Sequence, residues 1–353
     1  MKRRLAITTL ILCAMFSGTQ VWAVAALGND DIGVLIADGN SAGTYALIRQ
    51  QGYDLEPPDN SGSHASNPFQ HIQQQWDALL GKYVFSFYIH ALIDDDRGKT
   101  TVTDRQRNEI KTGPHSPASL YAQEGETMVM KWKFRLPEGL VTTNKFSHIH
   151  QLKGMDNDEG TAEVSLPVIT LTCYTTSSGR KVLRLLHNDR TNPSATNATV
   201  LEEVSQNDFL GQWVEAEERV KFGAHGTYDI SIKRMSDCKE LLAYNSNDIG
   251  MWSTGTSGMR PKWGIYRSVG ENGEWRNILR DEILLFADFS IEKVSADGVE
   301  SLTYMPSQGR SDTGSVYSLD GRRIASSKLT KGIYIKEGKK IVIKNSFKMD
   351  MIL

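Results

Sequence analysis

The sequence predicts an all-β protein: a two-sheet antiparallel sandwich, or jelly roll, with one short helix and a small C-terminal β module. Runs of alternating apolar and polar residues recur along the chain, and clusters of Gly, Asn, Asp and Ser separate them. The regular alternation of helices and strands that parallel sheets require is missing. The 353 residues are 39% hydrophobic, which is enough for a sizeable core and excludes a wholly disordered chain.

Residues 1–23 have the three parts of a secretory signal peptide: a basic start, an apolar stretch from Leu5 to Phe16, and small residues before the cleavage point. The apolar stretch is shorter than the ~20 residues that a membrane-spanning helix needs, so we expect no membrane span. We therefore expect an exported protein that is secreted, periplasmic or held at the cell surface. After cleavage Cys173 and Cys238 remain, and they form either one disulfide or two free thiols.

The predicted jelly-roll domain covers residues 24–296. Its first part, 24–60, is polar and irregular and predicts an edge strand and loops. The segment Pro68–Leu80 has apolar residues at helical spacing and predicts the single helix. The alternating runs then predict ten strands: Lys82–Ala91, Arg107–Lys111, Thr127–Leu136, Phe146–Lys153, Val168–Thr175, Lys181–His187, Gln212–Val220, Gly226–Lys233, Lys262–Arg267 and Glu282–Val294.

A linker rich in Ser, Gly and Asp is predicted at 297–314, followed by the small β module at 315–353. In this module Asp320-Gly321 is a hairpin turn signal between two alternating runs. The V-Y-x-L-D-G-R layout, followed by G-I-Y-I, resembles the C-terminal modules of proteins exported by Bacteroidetes. That resemblance implies a role in sorting or surface retention rather than in catalysis.

Three predicted strands carry polar motifs that point to a binding site. In the first, Arg107, Glu109 and Lys111 alternate with other residues and therefore share one face. Two cations that flank a carboxylate form an array that can hold an anionic ligand. A solvent-facing ladder of ion pairs is the alternative.

The second motif is the strand that contains His148 and His150. Strict alternation places Gln151 and Lys153 on one face and the two histidines on the other. Gln151 and Lys153 could bind and neutralise a carboxylate. The histidine pair is only weak support for a metal site, because buried histidines that form hydrogen bonds are more common.

In the third motif, Lys262, Gly264 and Tyr266 share one face, whereas Trp263 and Arg267 lie on the other. A glycine between Lys and Tyr would leave space for a ligand to approach the backbone. Without the other two motifs, this segment would read as an ordinary half-buried strand.

Together the motifs R-x-E-x-K, Q-x-K-G and K-W-G-I-Y-R occur in the order found in jelly-roll polysaccharide lyases, and the chain resembles that group from Tyr83 to Val294. The group includes alginate, glucuronan and heparin-type lyases, and K-W-G-I-Y-R is the most specific part of the match. The resemblance implies a jelly roll that binds an anionic polysaccharide, with Tyr266 catalytic. We prefer a glucuronan-like substrate, since the second motif is closer to glucuronan-type than to alginate-type enzymes.

Lyase chemistry assigns expected roles to these residues. Tyr266 would be the acid, and also the base if Lys262 and Arg267 lower its pKa. The histidine of the alginate-lyase pattern is replaced by Lys153, so the base is Lys153, or His150 turned by a bulge, or one of His90, His115 and His187. Arg107 and Gln151 would neutralise the substrate carboxylate. The expected substrate-binding set is Arg107, Glu109, Lys111, Gln151, Lys262 and Arg267, with Arg105 adding positive charge.

Two other functions remain open. A jelly-roll glycoside hydrolase would use a carboxylate pair, for which Glu215 and Glu217 are the candidates. A non-catalytic carbohydrate-binding protein would instead use Trp213, Trp252 or Trp263 as stacking platforms.

Partners and cofactors follow from composition. The net charge of −2 gives no reason to expect nucleic acid, and we expect a monomer without a cofactor. The chain lacks the Cys/His spacing of zinc sites, so we expect no metal in the site and no structural zinc. The acidic runs Asp94–Asp96 and Asp156–Glu159 could hold structural Ca²⁺, or they are solvated turns.

Overall fold

The structure is a computed structural model that describes residues 33–59, 64, 66–191 and 197–294, together with the backbone of five strands beyond residue 315. The predicted signal peptide and linker lie outside the described residues. Contacts divide the chain into two units, Met1–Ala296 and Asp297–Leu353. No helix in the described residues combines the length and apolar character that a membrane span requires.

The first unit contains one α-helix, α1 (Thr44–Gln50), and fourteen strands in its described residues. Short 3₁₀ turns cover Ser41–Gly43, Ala118–Leu120, Gln206–Asp208 and Glu271–Gly273. The strands are β1 (Asp54–Glu56), β2 (Ile72–Asp77), β3 (Lys82–Ile89), β4 (Arg105–Lys111), β5 (Thr127–Arg135), β6 (Ser147–Met155), β7 (Ile169–Thr175), β8 (Lys181–His187), β9 (Thr199–Ser205), β10 (Val214–Lys221), β11 (Gly226–Arg234), β12 (Glu240–Ile249), β13 (Gly258–Ser268) and β14 (Glu282–Val294).

These strands form two seven-stranded sheets, in the orders β1-β4-β13-β6-β7-β8-β9 and β12-β11-β10-β5-β14-β3-β2. Neighbouring strands pair antiparallel, which confirms the predicted two-sheet β sandwich. Period-two patterning explains how the sheets pack. Along β10, Val214 and Ala216 are buried in the core, whereas Glu215 and Glu217 between them are exposed.

The predicted helix at Pro68–Leu80 is wrong. Ile72–Asp77 is strand β2, which pairs antiparallel with β3 at the edge of the second sheet. The apolar spacing does not correspond to a buried helical face, because Trp76 is 59% exposed and Leu79 is 68% exposed. The helix is instead α1, in a segment for which only an edge strand and loops are predicted, and that segment also contributes the edge strand β1.

The two cysteines do not form a disulfide: Cys173 is buried in the core and Cys238 is exposed, and both are free. Of the two alternatives open from the sequence, the structure therefore shows two free thiols.

In its described residues, the second unit contains five antiparallel strands: β15 (Val316–Tyr317), β16 (Arg323–Ile324), β17 (Gly332–Lys336), β18 (Lys339–Asn345) and β19 (Lys348–Met351). Their order in the sheet is β16-β15-β17-β18-β19. The predicted turn at Asp320-Gly321 lies between β15 and β16, outside the described residues.

Candidate active site

The strands β4, β13 and β6, which carry the three motifs, are neighbours in the first sheet. Their inner face, which includes Ile110, Leu152 and Trp263, packs in the core between the sheets. Their other face carries Tyr266, and we call it the Tyr266 face. The register places the following residues side by side on it: Arg107 with Tyr266, Glu109 with Gly264, Lys111 with Lys262, Lys262 with Gln151, and Tyr266 with His148.

Two guanidinium groups hold Tyr266. Nη1 of Arg105 donates a hydrogen bond to its hydroxyl oxygen at 2.8 Å, and the guanidinium carbon of Arg107 lies 3.6 Å from the centre of its ring. Burial nevertheless raises the pKa of Tyr266 above its ordinary value of 10, against the opposing effects of Arg107 and Arg105. The condition under which Tyr266 would also be the base, a pKa lowered by Lys262 and Arg267, is therefore not met. At neutral pH the side chain is a phenol that can donate a proton.

The carboxylate of Glu109, near Tyr266, is the central acceptor of a buried hydrogen-bond network. It accepts hydrogen bonds from Nη1 of Arg107 at 2.6 Å, from Nζ of Lys262 at 2.8 Å, and from the Gln151 amide. Glu109 is fully buried. Burial acts to raise its pKa, but Lys262 and Arg107 bring it below its ordinary value. Glu109 is thus an ionised anchor rather than a group in contact with ligand.

A second carboxylate, Glu56 of β1, lies opposite Glu109 in the register. Directly opposed like charges would repel, but Nζ of Lys262 bridges them, at 2.5 Å from Glu56 and 2.8 Å from Glu109. Lys111 and Arg97 each lie 2.9 Å from Glu56. Although burial acts to raise the pKa of Glu56, Lys262, Arg107 and Lys111 hold it well below its usual range.

This network corrects part of the predicted binding set. Only 8% of the Arg107 side chain and 4% of the Lys262 side chain are exposed, and Gln151 is 1% exposed. Their polar groups are engaged by Glu109, so they do not reach a sugar directly. They fix the position of Tyr266 and the strands around it. Lys111, with 19% of its side chain exposed, lies at the edge of the same network.

Arg267 also does not lie where its predicted role in substrate binding requires. It is 1% exposed and lies on the inner face, where Nε donates to Oε1 of Gln106 at 3.0 Å and Nη1 donates to the carbonyl oxygen of Arg280 at 3.0 Å. The alternation of β13 does place Arg267 opposite Tyr266, as the sequence indicates. A substrate-binding role does not fit this burial.

Gly264 does not leave space for a ligand. It has φ 141°, and a Cβ atom there would collide with the backbone of Asn108 and Glu109 on β4. The glycine lets β4 and β13 approach closely, next to an irregular register between Trp263 and Tyr266.

A β-bulge in β6 decides which histidine reaches the Tyr266 face. The register with β7 shifts between His148 and His150, so that the two histidines lie on opposite faces of the sheet. The ring centre of His148 is 5.9 Å from that of Tyr266. Its Nδ1 lies 2.6 Å from the hydroxyl oxygen of Thr172, which donates its own proton to Thr170 at 3.1 Å. Nδ1 of His148 is therefore the donor, and Nε2 retains its lone pair.

Burial lowers the pKa of His148 to about 3, although the carboxylate of Glu109 acts in the opposite direction. Arg107 and Lys262 contribute to the decrease. His148 is consequently neutral over the physiological pH range. This residue is on the Tyr266 face although the strict alternation assumed from the sequence assigns it to the other one.

His150, proposed from the sequence as a catalytic candidate, is fully buried between the sheets. Its Nε2 is 3.0 Å from a carboxylate oxygen of Glu218 on β10, and its Nδ1 donates to the carbonyl oxygen of Lys262 at 3.0 Å. Glu218 also accepts a hydrogen bond from Tyr228 at 2.7 Å. His150 thus joins the two sheets, and no sugar can reach it.

Lys153 lies further along β6 on the Tyr266 face, opposite Arg260, and is partly exposed. Burial and the neighbouring charges of Lys262 and Arg107 lower its pKa to about 8. Its Nζ has one distant contact, 3.4 Å from the carbonyl oxygen of Ser165. Lys153 is therefore a cation that can be offered to a ligand, unlike Arg107 and Lys262.

An open cleft of about 610 Å³ lies beside Arg105 and is lined also by Asp96, Lys99 and Glu271. Arg105 joins this cleft to the hydroxyl of Tyr266.

Several site residues were not identified from the sequence. Glu56 lies on a three-residue edge strand that has no pattern of its own. Asp96 accepts from Nε of Arg107 at 2.7 Å and from Nε of Arg97 at 2.8 Å, so the acidic run Asp94–Asp96 is buried rather than a solvated turn. The other acidic run, Asp156–Glu159, is mainly exposed.

The residues of the two alternative functions are placed elsewhere. Glu215 and Glu217 are exposed on the second sheet, where they face Lys133 at 3.5 Å and Lys131 at 3.0 Å. Trp263 is fully buried, which removes it as a stacking platform. Trp213 is 5% exposed, and its indole nitrogen donates to Asp77 at 3.0 Å, so its ring is not available either; Trp252 is partly buried.

The chain was compared with known proteins. A scan of protein-family models and a search of curated proteins found no match. Among solved structures, an alginate lyase from Aplysia kurodai covers 74% of this chain and 99% of its own, with 12% identity and a TM-score of 0.47. An alginate lyase from Pseudomonas aeruginosa covers 69% and 98%, with 15% identity and a TM-score of 0.44. An endo-β-1,4-glucuronan lyase from Trichoderma reesei covers 69% and 89%, with 13% identity and a TM-score of 0.41.

Proposed function

We propose that this chain is a polysaccharide lyase that cleaves a uronic-acid polymer by β-elimination on the Tyr266 face. The observation that carries the proposal is the setting of Tyr266: a neutral phenol held by Arg105 and Arg107, beside a neutral histidine, on a sheet face open to solvent. A phenol that can donate a proton and an imidazole that can accept one are the two groups this reaction needs.

In β-elimination a base removes the proton at C5 of the uronate, the C4–O4 bond breaks, and an acid protonates the departing O4. The C5 proton is weakly acidic because its removal places a second negative charge beside the C6 carboxylate. An enzyme must therefore neutralise that carboxylate with cations or hydrogen-bond donors. Each positioned acid or base contributes about 10²–10⁴-fold to the rate.

From this geometry we propose the following roles. His148 is the base, because burial keeps its ring neutral and the hydrogen bond to Thr172 leaves the lone pair on Nε2, beside Tyr266. Tyr266 is the acid, since its raised pKa keeps the phenol protonated. Lys153 neutralises the substrate carboxylate, because it is partly exposed on the Tyr266 face and has one distant contact. Arg105 orients the phenol: its Nη1 donates to Tyr266, while its Nε and Nη2 donate to Asp104.

The buried network positions these groups. Arg107 supports the ring of Tyr266 from below, and Glu109 holds Arg107, Lys262 and Gln151 in place. A rigid, ion-paired network of this kind keeps the phenol of Tyr266 in a fixed orientation. A mobile surface tyrosine would lack that orientation.

Within this proposal the preferred substrate is a glucuronan-like polymer. Its support is Lys153, which stands where the alginate-type pattern has a histidine, and a lysine there suits carboxylate neutralisation. We also propose that the protein is exported, and is secreted, periplasmic or held at the cell surface, on the strength of the signal-peptide features of residues 1–23. We propose a monomer as its oligomeric state.

A panel of uronate polymers tests the proposal. Elimination leaves a C4–C5 double bond conjugated with the carboxylate, which absorbs in the ultraviolet, whereas hydrolysis does not. We expect absorbance to rise on glucuronan and less or not at all on mannuronan, guluronan and polygalacturonate. A control variant, Glu217→Gln, should match the wild type because Glu217 is exposed on the other sheet.

Two results would contradict the proposal. New reducing ends without absorbance would indicate a glycoside hydrolase. Saturable binding of a polymer without new ends would indicate a carbohydrate-binding protein.

A further inference from the structure

Three histidines and an aspartate converge at the end of the β2–β3 hairpin, away from the Tyr266 face. They are His64, His71, which directly precedes β2, His90, which directly follows β3, and Asp94. One ligand atom of each lies within 4.8 Å of all the others. The side chains of His71 and Asp94 are fully buried, and those of His64 and His90 are 8% and 22% exposed. The ring of Phe69 packs against all three imidazoles.

The separations match a tetrahedral metal centre. Nε2 of His71 is 3.1 Å from Oδ1 of Asp94 and 3.2 Å from Nδ1 of His90. Nε2 of His64 is 2.8 Å from Oδ1 of Asp94. Four ligands at ~2.0–2.1 Å from a zinc ion form a tetrahedron whose edges are about 3.3 Å. Three of the six separations between donor atoms are thus close to this edge length, and the others do not exceed 4.8 Å.

Proton placement points to a cation at the centre. Asp59 accepts from the backbone nitrogen of His71 at 3.1 Å and lies 2.7 Å from its Nδ1, so Nδ1 is the protonated ring nitrogen. Nε2 then directs its lone pair at the Asp94 carboxylate, and two acceptors face each other in a buried space. Either a second proton on His71 or a metal ion must lie between them. An orienting carboxylate behind a histidine ligand is the arrangement that metal sites use to fix ring and tautomer.

We propose that His64, His71, His90 and Asp94 form a structural Zn²⁺ site. Three imidazole nitrogens and one carboxylate suit zinc, whereas Ca²⁺ and Mg²⁺ require oxygen ligands. All four tetrahedral positions are filled by protein groups, so the site is closed and leaves no position for water or substrate. The sequence prediction of no zinc rested on the absence of Cys/His spacing. It did not consider ligands drawn from three separate segments.

The site has a structural consequence at the Tyr266 face. The turn after Asp94 leads to Asp96, which binds Nε of Arg107 at 2.7 Å. Gln106 of β4 donates to the carbonyl oxygen of Asp94 at 2.9 Å. The backbone nitrogen of Arg107 donates to the carbonyl oxygen of Asp95 at 3.0 Å. A metal on Asp94 would therefore anchor the turn that supports Arg107. The metal proposal itself stands on the cluster alone and does not depend on the lyase proposal.

The test uses the full chain without a polyhistidine tag, stripped with a chelator and titrated with ZnCl₂ in a calorimeter. We expect one Zn²⁺ per chain. At a free zinc concentration about 100 times the dissociation constant, we expect a melting temperature higher by roughly 5 °C. Co²⁺ should bind in competition with Zn²⁺ and give the intense visible absorption of a tetrahedral complex.

Variants test which residues bind the zinc ion. His90→Ala should bind zinc more than about 100-fold more weakly, and Asp59→Asn roughly 10- to 100-fold more weakly because it only orients His71. His225→Ala is the matched control, since His225 is exposed and pairs with the exposed Asp248, and it should bind as the wild type does. If a variant unfolds, stoichiometry and the cobalt spectrum of the wild type decide. A wild type that binds no zinc, or an octahedral cobalt spectrum, overturns the proposal. In that case a second proton on His71, rather than a metal ion, lies between its Nε2 and the Asp94 carboxylate.

Discussion

His148 and His150 are two positions apart on β6 and yet lie on opposite faces of the sheet, because a β-bulge separates them. His148 contacts Tyr266 on the solvent-facing side, with 5.9 Å between ring centres. His150 contacts Glu218 in the core at 3.0 Å. Bulges that turn one side chain toward a site are common next to active sites.

The two histidines should therefore respond differently to mutation. His148→Ala should lower the rate of elimination about 10²–10⁴-fold with little change in stability, because it removes the base. His150→Ala should instead lower the free energy of unfolding by about 3 kcal/mol, because it leaves Glu218 buried without that partner. Ultraviolet product assays and denaturant unfolding of both variants check this. An active His148→Ala variant would remove histidine from the mechanism.

Tyr266→Phe should abolish turnover and leave folding and polymer binding nearly intact. The ring remains over Arg107, and the variant loses the acidic proton together with one hydrogen bond from Arg105. That hydrogen bond contributes about 1 kcal/mol to stability. Product absorbance, denaturant unfolding and polymer binding by the inactive variant are the measurements. Near-normal turnover would show that the phenol does not supply the proton.

The sequence predicted the interior of the sandwich much better than its edges. Strands with a neighbour on each side, such as β10, bury every second residue and leave a clear period of two. The edge strands β9 and β12 were missed, and β2 was assigned to a helix. Edge strands have one partner and keep many polar residues exposed, so their patterns are weak. In β12, for example, Glu240, Ala243 and Asn245 are exposed.

The site was predicted in outline because the period of a strand is regular. Alternation correctly placed Arg107, Gln151 and Tyr266 on one face of adjacent strands. Alternation failed at β6, where the residues before the bulge lie on the opposite face from the one that strict alternation predicts. Glu56 contacts Arg107 and helps to bury it, although the two residues are 51 positions apart in sequence. A local sequence pattern cannot predict a contact over that separation.

Lys153 should give the reaction an alkaline limit. Its pKa is lowered to about 8, so the ammonium group is present below that pH and is lost as the pH rises through it. If the charge neutralises the substrate carboxylate, elimination should slow above pH 8. Lys153→Arg should extend activity to higher pH, because a guanidinium stays protonated. A pH profile of kcat/KM for both proteins measures this. A rate that instead rises through pH 8 would make the unprotonated Lys153 the base.

The buried network should make stability sensitive to acid and to the loss of Glu109. The pKa values of Glu56 and Glu109 lie below their ordinary value of 4.5, so the folded state binds fewer protons than the unfolded state near that pH. Their contribution is therefore complete above about pH 5 and is lost as the pH falls through the folded pKa values. Glu109→Gln should lower the free energy of unfolding at pH 7 by about 3–5 kcal/mol, because Arg107 and Lys262 lose a buried counter-charge.

Glu217→Gln provides the comparison for this variant, since an exposed ion pair contributes at most about 1 kcal/mol. Denaturant unfolding of the wild type and both variants at pH 7 and pH 4 separates the effects. The gap between wild type and Glu109→Gln should narrow at pH 4, because the unfolded wild type binds a proton at Glu109 at a higher pH than the folded state does, which favours unfolding. A gap that is equal at both pH values would mean that Glu109 stabilises the fold through packing and hydrogen bonds rather than through its charge.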